Sequence, residues 1–268
     1  MRRALLAAVF ALASSVALAF LVLPVLAIFT RVGPGKLAGQ LSSPVVHDAL
    51  IVTLKTSLVA QGLILLLGTP LAYFLATRRF PGRAVLVTLV ELPIVLPPAV
   101  AGIGLLVAFG RFGLVGRHLG LWEHLSFDWL AVTFAVMLVA GPFYIRSAIA
   151  AFEAVDESLV AASRTLGAGP VRTFFRIAVP LAGGGLVAGE AISLARGIGE
   201  FGATIMFAGN LAGVTRTLPL AVYSAMQSDL DLAVVLSVLL LALALLMLVA
   251  LRLASRPLRP RTGPDARR

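Results

Sequence analysis

Apolar residues run along this chain in long unbroken blocks, and polar residues gather in the short stretches between them. Six blocks stand out, at about 4–30, 49–77, 84–109, 129–148, 182–207 and 232–251. A helix needs roughly 20 apolar residues to cross a bilayer, and each block reaches that length. Lipid offers the backbone no hydrogen-bond partners, so the pattern predicts six transmembrane helices. The fold class is all-α integral membrane protein. Residues 1–251 form one six-span domain, and 252–268 a basic tail too short to fold.

Composition agrees with the pattern. The chain is 60% hydrophobic and 13% charged, with a mean hydropathy of +1.03. A soluble domain carries about twice that charge. The net charge of +10 would suit a nucleic-acid binder, but its placement argues otherwise. With the N-terminus inside, the inner segments hold fifteen of the 22 Lys and Arg residues and the outer segments five. Lys55, near the outer end of the second span, and Arg196 fall within spans. This asymmetry puts both termini in the cytoplasm and leaves no nucleic-acid partner to expect. Arg2-Arg3, an apolar run and Ala17-Leu18-Ala19 resemble a signal peptide. The run continues to Thr30, however, so a retained first helix is expected.

The chain lacks cysteine, and His47, His118 and His124 fall in outer loops without metal-ligand spacing. No metal site or cofactor is expected. There is no G-x-x-x-x-G-K-[ST], G-x-S-x-G or H-E-x-x-H motif, so the chain should not hydrolyse ATP itself.

The polar interruption from Glu153 to Pro180 is the most informative break. Val155, Leu159, Ala162 and Leu166 share one helical face. Asp156 can cap that helix, and Gly167 suits a positive-φ C-terminus. A second helix can begin at Pro170, with Val171, Phe174, Phe175 and Ala178 on one face, and Pro180 is expected to end it. Two short amphipathic helices around a glycine turn suit a membrane surface and a partner's groove equally well.

Ala161-Ala162-Ser163-Arg164-Thr165-Leu166-Gly167, followed nine residues later by Ile177-Ala178-Val179-Pro180, resembles the coupling loop of permease subunits of ATP-binding-cassette importers. That family's pattern is Glu-Ala-Ala, three residues, Gly, nine residues, Ile, any residue, Leu-Pro. Here Ala161 replaces Glu, Ser163 replaces Ala and Val179 replaces Leu. The missing acid bears on a salt bridge from position 161, not on docking itself. The resemblance implies a type I importer permease fold, with a cytoplasmic coupling helix between helices 4 and 5. Ala161 to Ala168 would contact the ATPase subunit, with Ile177 and Pro180 as loop framework.

The run Gly199-Glu200-Phe201-Gly202-Ala203-Thr204-Ile205-Met206-Phe207-Ala208-Gly209-Asn210, with Thr217-Leu218-Pro219-Leu220 after it, is similar to the molybdate permeases of this family. Sulfate, thiosulfate and tungstate permeases are neighbouring readings. The resemblance implies a homodimer in a bacterial cytoplasmic membrane, with two ATPase subunits and an extracytoplasmic oxyanion-binding protein. It adds Gly202, Thr204 and Asn210 as pathway or gate candidates.

The residues themselves add Glu91, Glu190, Arg196 and Glu200, ionisable groups within apolar blocks. Glu190, Arg196 and Glu200 fall within one helical sector of about 120°. Arg196 and Glu200 have i,i+4 spacing, which permits an ion pair. A structural pair and a gate both fit. Gly185 and Gly189 give a G-x-x-x-G spacing for close helix contact. Glu91 precedes Pro93, Pro97 and Pro98, which should kink the third span. A proton-coupled carrier using Glu91, Glu190 and Glu200 is the rival from another class.

Overall fold

The computed structural model describes residues 2–31, 33–119 and 127–254; His124 and tail residues 255–268 lie outside them. Every regular element among the described residues is helical. In chain order they are α1 (Arg2–Arg31), α2 (Pro34–Leu41), α3 (Pro44–Thr77), α4 (Arg83–Val95), α5 (Pro98–Phe109), α6 (Gly116–Leu119) and α7 (Trp129–Glu153). Then come α8 (Glu157–Thr165), α9 (Pro170–Thr173), α10 (Val179–Ile198), α11 (Gly202–Phe207), α12 (Leu218–Met226) and α13 (Leu230–Ala254). Five helical stretches are long and apolar enough to cross a membrane: Leu5–Arg31, Pro44–Thr77, Trp129–Glu153, Pro170–Ile198 and Leu230–Leu253.

Two expected spans differ from their sequence reading. The third is broken, not kinked: the chain bends by 117° between α4 and α5, across Leu96 and Pro97. Consecutive Pro97 and Pro98 remove two N–H donors and push the preceding residue into extended backbone, which ends a helix. Leu96 has ψ 134°, as that argument requires. The fifth begins earlier and ends earlier than 182–207. Its helix runs unbroken from Pro170 to Ile198 through a widened π turn at Phe174–Ala178. Pro180 therefore does not break the chain. The wider turn sets Val179 N–H on Phe174 O and makes room for the proline ring.

α3, α7 and α10 form the centre of the bundle. Lipid supplies no hydrophobic drive between helices, so close approach of small residues must hold them. A Cβ on Gly185 would stand 2.5 Å from Ala151 Cβ, and one on Gly189 would stand 2.7 Å from Ser147 Cβ. The G-x-x-x-G face of α10 thus seats on an equally small face of α7. Ser147 Oγ donates to Gly185 O at 3.3 Å. Tyr144 fills the space beside Gly68, with its hydroxyl 2.6 Å from Thr69 Oγ1. A second cluster, with Val46, Leu218, Ala221 and Leu236 at its heart, ties α3 to α12 and α13.

Opposite ends of the bundle carry different fastenings. At one, Lys55 Nζ lies 3.7 Å from the Trp129 ring centroid, a cation–π contact. At the other, Arg83 pairs with Glu153 and donates from Nε to Leu75 O at 2.6 Å.

Candidate functional site

The first candidate region is the turn around α8. The Asp156 carboxylate accepts the Ser158 N–H at 2.8 Å and caps the helix. Gly167 sits at φ 83°, where L residues are strained. From there Gly167 N–H reaches Arg164 O at 2.9 Å and Ala168 N–H reaches Ser163 O at 3.0 Å. These paired bonds are the Schellman closure that a helix-terminal glycine makes possible. Ser163 Oγ donates to Val160 O at 2.9 Å and lies 3.1 Å from Thr173 Oγ1. Ser163 is thus the tie between α8 and α9.

Only part of the expected apolar stripes faces the bundle. Val155 packs on the core, but Leu159 and Ala162 are exposed and Leu166 is 88% exposed. On the second helix, Phe174 and Ala178 turn inward, and Phe174 stacks edge-on to Tyr73 at 4.9 Å. Val171 and Phe175 point away, 70% and 64% exposed. Val171 and Phe175 are four residues apart, as are Phe174 and Ala178, so the expected stripe is divided lengthwise and only its Phe174–Ala178 half meets the bundle. Ile177 is half-buried and Pro180 exposed.

The second region lies where the broken spans meet. Glu200 is 2% exposed and follows the end of α10. Its Oε1 accepts the Ala203 N–H at 2.8 Å, so it caps α11. Its Oε2 lies 2.7 Å from Arg196 Nη1, ion-paired although out of line for a hydrogen bond. Beside it, a Cβ on Gly202 would stand 2.9 Å from Pro98 Cβ. A Cβ on Gly102 would stand 2.6 Å from Ala203 O. The two half-helices α5 and α11 therefore touch backbone to backbone. Thr204 is buried there, with an unpartnered Oγ1.

The other candidates are scattered. Glu91 pairs with Arg146 at 3.2 Å, joining α4 to α7. Glu190 is 7% exposed within α10, and its Oε2 has no hydrogen-bond partner. Asn210 organises the loop after α11: its Nδ2 donates to Ser224 Oγ at 2.8 Å, and its Oδ1 accepts from Arg216 Nε at 2.9 Å. Sequence reasoning missed Gln61 and Ser193. Ser193 Oγ lies 3.1 Å from both Gln61 Oε1 and Ala140 O, linking α3, α7 and α10. A lone amide within the second apolar block was the available signal. No cluster of three or more His, Cys, Asp or Glu residues suited to a metal ion occurs among the described residues.

The chain is a multi-pass helical bundle with an exposed, glycine-closed helical turn. Residues 68–260 match the family described as binding-protein-dependent transport system inner membrane component, and the chain belongs to that family. Among its relatives is the molybdenum transport system permease protein ModB of Mycobacterium tuberculosis. It is 40% identical over 233 residues, which cover 86% of this chain and 88% of the relative. ModB of Escherichia coli K12 is 41% identical over 183 residues, covering 68% and 80%. The fold is that of type I importer permeases. An inward-facing MetNI methionine ABC transporter chain matches with a TM-score of 0.64 at 21% identity, over 81% of this chain and 97% of that one. A chain of a bacterial ABC transporter that imports alginate matches with a TM-score of 0.69 at 17% identity, over 97% and 98%.

Proposed function

We propose that this chain is the membrane-spanning subunit of an ATP-driven importer of molybdate. An extracytoplasmic binding protein delivers the oxyanion. The names of the relatives support the cargo, and the α8 turn supports the mechanism. The observation that carries it is the exposure of Leu166 beside the rigid Gly167 closure. A large apolar side chain held out on a fixed turn, with Val171 and Phe175 also outward, suits a helix-in-groove contact.

In this reading Ala161, Ala162, Ser163, Arg164, Thr165, Leu166, Gly167 and Ala168 meet the ATPase subunit. Two such subunits serve a homodimer of this chain, and ATP hydrolysis belongs to them. Both termini and the α8 turn face the cytoplasm. Motion of α8 passes along the continuous Pro170–Ile198 helix to the junction of the broken spans. Glu200, Arg196, Gly202 and Thr204 form the gate wall there. Glu91, Glu190 and Asn210 support the helices and loop around it. A motor can bias such an equilibrium only by contacting its two states differently, and α8 supplies that contact.

Reconstitution with the ATPase subunit and binding protein tests this reading. Loaded binding protein should raise ATP hydrolysis and drive molybdate uptake, and Gly167→Pro should abolish both while the chain still inserts. Proline fixes φ near −65°, against the 83° found here. Normal uptake by that variant would refute the coupling assignment. Uptake driven by a proton gradient without ATP would establish the carrier reading instead. Binding of molybdate, tungstate and sulfate by the delivery protein ranks the three cargoes.

A further inference from the structure

A cavity of about 700 Å³ opens between α8 and the adjoining ends of α3, α4 and α7. Its volume lies within the usual ligand-pocket range of about 300–1,000 Å³. Three arginines line it (Arg79, Arg83 and Arg164), together with Glu153 and Glu157. Arg83 is already engaged by Glu153 and Leu75 O. Arg79 and Arg164 have no ion pair among the described residues. The cavity lining therefore carries two guanidiniums without an ion pair and one such carboxylate, Glu157, among the described residues. Ala161 also lines this wall, at the position where the importer pattern has Glu. An acid there would balance the charge; alanine leaves the cavity positive.

We propose that this cavity binds a tetrahedral oxyanion between Arg79 and Arg164. Phospholipid headgroup phosphate and free phosphate or molybdate share this chemistry. Guanidinium groups suit it because they present several N–H donors to an oxyanion. Basic pockets between helices on the cytoplasmic side favour phosphate headgroups for the same reason. Arg79 lies in the turn after α3 and Arg164 on α8, so the anion ties the coupling turn to the bundle. This placement rests on the proposed orientation and coupling role.

The test uses the full chain purified in detergent, at constant ionic strength set with chloride. Thermal unfolding is followed against inorganic phosphate, molybdate, a short-chain phosphatidylglycerol and, as control, a short-chain monoacylglycerol, which has no phosphate. The expected result is a saturable rise in Tm with at least one anion and none with the monoacylglycerol. Arg79→Gln and Ala161→Glu should each weaken the apparent affinity at least tenfold. A rise with phosphatidylglycerol alone identifies the headgroup as the source. A rise with the inorganic anions identifies free oxyanion. No saturable rise with any anion, or equal rises in wild type and both variants, overturns the proposal. Binding is read without ATP or partners, so failure of ATP-driven uptake would remove the proposed function without altering this result.

Discussion

Glu200 does two jobs that pull on one carboxylate. It caps α11 through Ala203 N–H and balances Arg196. Losing the cation strands a buried charge, whereas Glu200→Gln keeps an acceptor for the cap and removes the charge. Arg196→Ala should therefore cost about 2–4 kcal/mol, somewhat below a fully buried pair because Arg196 is partly open. Adding Glu200→Gln to it should recover part of that loss. Denaturant titration of the three variants in detergent measures the coupling, and strictly additive values would show that the pair contributes nothing. Asp156 offers a pH test of the α8 cap. The Ser158 N–H lowers its pKa below the ordinary 3.8, so the cap stabilises the charged form. That stabilisation is fully present above the unfolded value and fades as pH falls through the lower folded one. Protection of the Ser158 amide, its exchange rate relative to an unstructured peptide at the same pH, should fall over that acid range in the wild type, while Asp156→Asn should show a flatter pH dependence. Asp156 and Gly167 were legible in the sequence because capping is local chemistry. Glu200's capping role was not, because it depends on where α10 stops. Glu190 fell in the same helical sector as Arg196 and Glu200, yet only those two pair.

The helices were legible wherever apolar length alone decided them, and misread where proline had to be weighed against its neighbours. Pro97 and Pro98 act together and break the third span. Pro180, a single proline, is absorbed by the π turn before it. Periodicity over Val171–Ala178 grouped Val171 and Phe175 with Phe174 and Ala178 on one wide stripe, because spacing alone does not say how much of a stripe the neighbouring helices cover. Small residues were read more securely, because G-x-x-x-G states a steric permission and not an energy. The pairing of Gly185 with Ala151 gives that permission a quantitative test. Gly185→Ala places a Cβ 2.5 Å from Ala151 Cβ and must push α10 from α7. The expected loss is about 1–3 kcal/mol, the usual cost of overpacking. Ala151→Gly in the same chain removes the opposing carbon and should restore most of the stability. Failure of that rescue, measured by the same denaturant titration, would mean that the helices are not held by this contact.

At the scale of the molecule, charge and the proposed coupling make one joint demand: the α8 turn must lie on the cytoplasmic side. Arginine is concentrated toward that end, with Arg78, Arg79, Arg83, Arg164, Arg172 and Arg176 around the α3–α4 and α8–α10 turns. The far end is built differently. Lys55 sits over Trp129, and the loop after α11 is held by Arg216 on Asn210, close to the start of α3. An excess of basic residues marks the cytoplasmic face. The native chain contains no cysteine, so single substitutions report topology without background. Ser158 on α8 and Ser228 before α13 are both exposed and lie at opposite ends of the bundle. Ser158→Cys should resist a membrane-impermeant maleimide in intact cells and react in inside-out vesicles. Ser228→Cys should do the reverse. The opposite pattern would turn the coupling turn away from ATP and rule out an ATPase contact through α8, whatever the sequence similarity. Labelling of Ser158→Cys should also fall when the ATPase subunit is added to inside-out vesicles, because its groove would cover α8, and unchanged labelling would place the subunit elsewhere.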